Sequence, residues 1–201
     1  MPQEPDVVVI PAGDALLDDP VRTVHVNVFA IARTPVTNAE FEEFASATSH
    51  AGSKWRQGAP THPAEGLSWA DAVAYCRWLS VASGKIYRLP DEREWEKAAR
   101  GLQGRKWPWG DDDDASRANV REAGRRETSA VGAFASGASP EGLLDLVGNV
   151  REWTNTWADG RVLRGGSYLD ALADCAPHKR LRSTDELFGH GFRLVRGMTG
   201  R

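Results

Sequence analysis

The sequence contains few cysteines and no long apolar run. Two cysteines in 201 residues exclude the disulfide framework that holds many small secreted domains together. No apolar stretch approaches the roughly 20 residues that a transmembrane helix needs. The first residues are acidic, which does not fit the basic start of a secretory signal. We therefore expect a cytoplasmic protein that has no membrane partner.

The sequence also lacks a strong excess of charge of either sign, because its formal net charge is −3. Residues 161–201 hold eight Lys/Arg and four Asp/Glu, a net +4, which leaves −7 on residues 1–160. An excess of this size is too weak for a nucleic-acid partner, which would need a densely basic face. It either favours an anionic or polar partner or reflects pairing with internal carboxylates.

What the sequence does contain is an ordinary globular composition with many tryptophans. With 41% hydrophobic and 26% charged residues, the length predicts a single domain over residues 1–201. We expect most of the eight tryptophans to lie in the core, because a loop-rich chain needs large side chains to fill its interior.

Three short helices are predicted by capping pairs, in which an acidic residue follows a polar residue by three positions. The pairs are Thr37 with Glu40, Ser68 with Asp71, and Asp91 with Glu94.

Eight ordered segments carry a resemblance to a known family. They are Pro35–Asn38, Leu67–Ala72, Tyr87–Pro90, Glu94–Gly101, Pro108–Gly110, Gly142–Trp153, Arg164–Tyr168 and Gly191–Arg193. In this order they closely resemble the formylglycine-generating enzyme (sulfatase-modifying factor) family, from about Val8 to Val195. The resemblance implies an α+β, C-type-lectin-like fold that is loop-rich, with a small twisted antiparallel sheet and about three short helices.

The resemblance also implies a structural calcium ion in the Gly142–Trp153 segment. Its ligands would be the side chains of Asp145 and Glu152 and the carbonyls of Gly148 and Val150, since calcium prefers oxygen ligands. The alternative is that the two acids only cap turns. A second calcium site of the family would begin at Asn119 and Val120, but residues 121–128 contain no Asp, which argues against it.

The catalytic motif of the family is incomplete. In its enzymes, two cysteines five residues apart follow Gly-Gly-Ser and bind copper(I), and dioxygen then oxidises a cysteine of the substrate. The matching positions here are Asp170 and Cys175. A carboxylate is a hard ligand that copper(I) disfavours, so we do not expect copper. Cys175, in a polar loop-like context, is the one candidate catalytic residue.

Two functions follow from this departure. The first is a ligand- or protein-binding module whose partner is a protein or a small polar ligand, because C-type-lectin-like folds display variable loops on a rigid scaffold. The second is a copper- or iron-dependent oxidoreductase that uses dioxygen and Cys175 with altered co-ligands, Asp170 or His178. The predicted contact surface is the segment from Tyr168 to His190. Its candidate residues are Tyr168, Asp170, Leu172, Asp174, His178, Arg180, Arg182, Asp185 and Phe188.

Overall fold

The computed structural model describes residues 2–18, 20–50, 55, 58–183 and 189–198. Within them, three α-helices begin where the capping pairs predict. They are α1 (Asn38–Thr48), α2 (Trp69–Ser83) and α3 (Glu92–Arg100). In each, the N-cap side chain accepts a hydrogen bond from the third backbone amide, and the carboxylate at that position accepts one from the N-cap amide. These complete capping boxes fix the helix starts. Among the described residues, no helix has the length and apolar character that crossing a bilayer requires.

Within the described ranges, short strands form three small sheets. The strands are β1 (Val7–Ile10), β2 (Gly13–Leu17), β3 (Arg22–Val26), β4 (Phe29–Ala32), β5 (Tyr87–Arg88), β6 (Arg151–Trp157), β7 (Arg161–Arg164), β8 (Leu181–Ser183), β9 (His190–Gly191) and β10 (Val195–Arg196). The sheet orders are β1-β4-β10-β5, β2-β3 and β8-β7-β6-β9. Every pairing is antiparallel except that of β6 with β9. The fold is therefore the expected loop-rich α+β, C-type-lectin-like architecture.

Three of the eight tryptophans are buried in the core, and Trp55, Trp69, Trp78 and Trp109 are partly buried and pack against it. Trp95, Trp107 and Trp153 are at most 1% exposed. Each indole N–H donates a hydrogen bond. The acceptor is a carboxylate oxygen of Glu152 for Trp95 (2.7 Å), a carboxylate oxygen of Asp113 for Trp107 (2.8 Å) and the carbonyl of Leu67 for Trp153 (2.7 Å). A buried indole therefore contributes its apolar area without leaving a donor unpaired.

Trp157 is an exception to this pattern, since 63% of it is exposed. Its ring centroid lies 5.2 Å from the guanidinium carbon of Arg161, which stacks at 3.4 Å on Trp69. The cation–π contacts hold the exposed indole against the end of β6.

Candidate functional site

The candidate site is built around a tight turn that follows β7. Gly165 and Gly166 both have positive φ, of 86° and 68°, and lead into Ser167. Asp170 closes the turn, because one of its carboxylate oxygens accepts from the Ser167 amide (2.8 Å) and hydroxyl (3.0 Å). Its other oxygen is paired with Arg151. Asp170 therefore caps a turn and holds an arginine, and its carboxylate is already engaged on both oxygens.

Cys175 lies directly beneath this turn and is inaccessible to solvent. It ends a 3₁₀ helix (Leu172–Cys175), and its Sγ is 3.9 Å from the carbonyl of Ser167. Burial, reinforced by the charge of Asp170, raises the pKa of the thiol to about 12. The polar, loop-like context of Cys175 predicted an accessible candidate catalytic thiol, which is wrong, because the turn packs its backbone over the sulfur. At neutral pH the group is a protonated thiol, which is a poor nucleophile and metal ligand.

The remaining predicted contact residues differ in their exposure to solvent. Asp174, Arg180 and Arg182 are exposed, and His178 is half-buried. Tyr168 is only 8% exposed and its hydroxyl donates to Glu65 at 3.3 Å. Burial, with the charge of Glu65, raises the pKa of Tyr168 to about 12. Asp185 and Phe188 lie outside the described residues.

Two predicted contact residues, Tyr168 and Leu172, are buried and require correction. Leu172 is 8% exposed and belongs to a core cluster with Trp107, Val147 and Cys175. Its side chain lies on the inward face of the 3₁₀ helix, so it supports the turn and does not form part of a contact surface.

An open cleft of about 300 Å³ lies against β7, and we call it the β7 cleft. Six charged residues line it: Arg151, Arg164, Asp170, Asp174, Lys179 and Arg180. Asp170, Asp174 and Arg180 were among the residues predicted from the sequence, whereas Arg151, Arg164 and Lys179 were missed. The +4 excess in residues 161–201 was a signal for Arg164 and Lys179, whereas Arg151 lies outside that range and had none.

Behind the cleft, its arginines share carboxylates that come from α3. Arg164 lies 2.9 Å from Glu92 and 3.2 Å from Glu96, and Arg180 lies 2.5 Å from Glu92. Burial alone would raise the pKa of Glu92, but the hydrogen bond from Arg180 and the charge of Arg164 outweigh it and lower the pKa. Glu92 is therefore held as a carboxylate between two guanidinium groups, which fixes the wall of the cleft.

The side chains of the implied calcium site do not fit a bound cation as they are arranged. Glu152 is fully buried, and its two oxygens lie 2.6 and 2.7 Å from Nε and Nη2 of Arg193. Arg193 Nη2 also donates to the carbonyls of Leu144 (2.8 Å) and Asp145 (3.2 Å). Both oxygens of Glu152 are therefore engaged by a guanidinium, and the other predicted side chain, that of Asp145, accepts a hydrogen bond from the Gly132 amide at 2.7 Å. The alternative, that the two acids only cap turns, fits Asp145, which accepts from the Gly132 amide, but not Glu152, which lies in β6 and pairs with Arg193.

This arrangement predicts that calcium does not change thermal stability. A filled site would stabilise the fold by about 2.7 kcal/mol at a calcium concentration one hundred times its Kd, and the melting temperature would rise by several degrees. We expect the same melting temperature in excess calcium and in excess EGTA, measured by tryptophan fluorescence. A clear rise in calcium that is lost in Asp145→Ala would contradict the role assigned to Arg193.

The proposed alternative metal set is also not assembled. Among the described residues, no three His, Cys, Asp or Glu side chains are grouped so that they could hold a metal ion. The described residues include Cys175, Asp170 and His178, the ligands considered for iron or zinc.

Comparison with known proteins places this geometry in a family. The model of the sulfatase-modifying factor enzyme 1-like domain matches residues 1–198. The formylglycine-generating enzyme of Streptomyces coelicolor is 31% identical over 76% of this chain and 71% of its own length. The inactive C-alpha-formylglycine-generating enzyme 2 of Bos taurus is 35% identical over 81% of this chain and 72% of its own length.

The fold comparison agrees with the sequence comparison. The Treponema denticola variable protein 1 superposes with a TM-score of 0.81 at 22% identity, covering 94% of each chain. At this identity the likeness concerns the fold alone. The family match, which spans nearly the whole chain, establishes that this protein belongs to the sulfatase-modifying factor enzyme 1-like family.

Proposed function

We propose that this chain is a ligand- or protein-binding module on a sulfatase-modifying factor scaffold, and that the oxidase chemistry of the family's enzymes is lost. The observation that carries the proposal is the state of the two positions at which those enzymes hold copper. Asp170 is committed to Ser167 and Arg151, and Cys175 is buried beneath the turn. Two accessible thiolates are what copper(I) chemistry at this turn requires, and neither is provided.

The named relatives are compatible with both an active oxidase and an inactive binding module, so the choice between these functions depends on the residues of the site. One of them is named as a formylglycine-generating enzyme and another as an inactive form of it. The scaffold therefore supports both active and inactive members. In this chain, the engaged carboxylate of Asp170 and the buried thiol of Cys175 favour the inactive kind.

A binding role is supported by the surface beside the turn. Asp174, Lys179, Arg180 and Arg182 are exposed there, and Leu181 is 42% exposed. Mixed polar and apolar groups on a rigid scaffold are typical of recognition surfaces. The partner that we propose is a protein or a small polar ligand that contacts this surface and the β7 cleft.

Thiol labelling tests the burial on which the proposal depends. With a pKa of about 12 for both Cys76 and Cys175, only about one thiol in ten thousand is ionised at pH 8. We expect neither cysteine of the folded chain to react with Ellman's reagent on the timescale of minutes. Both should react at once in denaturant, which serves as the control. Rapid labelling of one thiol in the folded chain, abolished by Cys175→Ala, would contradict the proposed burial.

Copper binding and oxygen consumption test the function directly. We expect no stoichiometric copper(I) uptake that depends on Cys175, and no dioxygen consumption with a cysteine-containing peptide. Wild type and Cys175→Ala should behave alike in both assays. Turnover of the peptide by wild type and not by Cys175→Ala would overturn the proposal and establish the oxidoreductase instead.

A further inference from the structure

The β7 cleft has more cationic than anionic groups around it. Its lining contributes four cations and two carboxylates. Arg151 is paired with Asp170, and Lys179 is paired with Asp174 at 3.1 Å, so these two pairs are neutral. The excess therefore lies with the two remaining cations, Arg164 and Arg180.

The carboxylates behind the cleft do not balance these arginines. Arg164 and Arg180 share Glu92. Glu96 is also paired with Arg100, and Asp18, the other partner of Arg180, is also paired with Arg22. The connected ion-pair network among the described residues thus contains four guanidinium groups and three carboxylates, a net charge of +1. Its members are Arg22, Arg100, Arg164, Arg180, Asp18, Glu92 and Glu96.

Arg164 shows the same shortage in its hydrogen bonds. Its side chain is fully buried, and its Nε has no acceptor among the described residues. Its Nη1 donates to the carbonyl of Pro177 at 2.8 Å, and its Nη2 donates to Glu92. A buried guanidinium N–H without an acceptor is unfavourable, so this wall of the cleft is short of both negative charge and an acceptor.

Lys179 can be recruited at the mouth of the cleft. Its ammonium group pairs with Asp174, but the two side chains are 46% and 63% exposed. An exposed pair of this kind is held weakly, so the lysine can turn to a ligand at little cost. The cleft thus has a fixed cationic wall and a movable cation at its edge.

We propose that the β7 cleft binds an oxyanion, a carboxylate or phosphate group carried by the ligand, with Arg180 and Lys179 as its contacts. This inference rests on the proposed binding function and names the chemical class that the binding surface recognises. A guanidinium group beside an ammonium group suits such a group, because charge-assisted hydrogen bonds to carboxylate and phosphate are short and strong. The oxyanion would supply the negative charge that the network lacks.

Short fluorescent peptides that differ only in one central residue provide the test. The central residue is phosphoserine, glutamate, glutamine or lysine, and binding to the full chain is measured by fluorescence polarisation, with inorganic phosphate as a competitor. We expect the phosphoserine or glutamate peptide to bind at least about tenfold more tightly than the glutamine peptide. The comparison of these two anionic peptides distinguishes phosphate from carboxylate. Added salt should weaken the binding, since the cations at the mouth are partly exposed.

Substitutions of Lys179 and Arg180 test whether the anionic peptide binds in the β7 cleft. Lys179→Gln and Arg180→Gln should each weaken the anionic peptide about tenfold, and Lys179→Glu should weaken it further. Lys85→Gln is the matched control, because Lys85 is also 46% exposed and paired with a partly exposed carboxylate, that of Glu4, but lies between α2 and β5. It should leave the affinity unchanged. Because Arg180 belongs to the ion-pair network, the folding of Arg180→Gln is checked by circular dichroism. If Arg180→Gln is unfolded, the affinity of Lys179→Gln decides the result.

The outcomes separate this inference from the proposed function. If the glutamine peptide binds as tightly as both the phosphoserine and the glutamate peptides, and this binding is lost in Lys179→Gln, the oxyanion inference is overturned and a binding module is left. Binding of the anionic peptides that survives both variants would overturn the cleft as the site, and so would a failure of every peptide and of phosphate to bind. Only oxygen consumption with a cysteine peptide would overturn the proposed function itself.

Discussion

Replacing Arg193 with methionine is expected to lower the free energy of unfolding by about 3 to 5 kcal/mol. Arg193 and Glu152 are both fully buried, and Arg193 donates to both oxygens of the carboxylate. Without the guanidinium, the carboxylate is left in the core, and the indole N–H of Trp95 is its one remaining side-chain partner in the described part of the chain. An unpaired buried charge of this kind is much more costly than the pair itself.

Urea unfolding followed by tryptophan fluorescence measures this loss, and Arg88→Met provides the matched control. Arg88 also pairs with both oxygens of a carboxylate, that of Glu94, at 2.6 Å, through Nη1 and Nη2, but 42% of its side chain is exposed. Solvent screens this pair, and we expect a loss of about 1 kcal/mol or less. The double variant Arg193→Met with Glu152→Leu should be more stable than Arg193→Met alone, since it removes the stranded charge. Similar losses for Arg193→Met and Arg88→Met would refute the role of the buried pair.

The second large effect is expected for Gly166→Ala, at about 2 to 4 kcal/mol of lost stability. An added Cβ at Gly166 would lie 2.3 Å from Sγ and 2.9 Å from Cα of Cys175, so the turn and the 3₁₀ helix would have to separate. Overpacking of this kind costs about 1 to 3 kcal/mol. The φ of +68° adds about 1 kcal/mol for any residue that has a Cβ.

Gly124→Ala separates the two contributions to this loss. Gly124 has the same φ of +68°, but an added Cβ there would meet no atom within 4 Å. We therefore expect it to lose only the backbone part, about 1 kcal/mol. Adding Cys175→Ala to Gly166→Ala should recover part of the loss, because the alanine removes the nearest atom. Equal unfolding free energies for the two glycine variants would show that Cys175 does not pack on the turn.

The helices could be predicted from the sequence because their signals are local. The N-cap and the acidic residue three positions later lie within one turn, so the pairs at Thr37, Ser68 and Asp91 needed no tertiary information. The burial of the tryptophans followed from their size. The family resemblance then identified the turn that carries Asp170 and Cys175.

The chemistry of the site could not be predicted in the same way, because it depends on contacts between distant segments. Arg164 meets Glu92 across 72 positions of sequence, and Arg193 meets Glu152 across 41. The burial of Cys175 depends on the backbone of Gly166 passing over it. Composition shows that these charges and this thiol are present, but the identity of their partners is a property of the folded chain.

The way in which the segment after β7 returns to its sheet has a further consequence. The segment leaves the sheet at Gly165 and rejoins it at β9. Just before β9, the carbonyl of Gly189 accepts a hydrogen bond from the backbone amide of Arg151 at 2.6 Å, and the amide of Gly189 donates one to the carboxylate of Glu65 at 2.7 Å. Both ends are anchored to the same framework, and exposed positions between them that lie outside the ion-pair network, such as Leu181 and Arg182, contribute little to its stability. Substitutions at those positions therefore carry a small thermodynamic penalty, so that the chemistry of this surface can be changed without loss of the architecture beneath it.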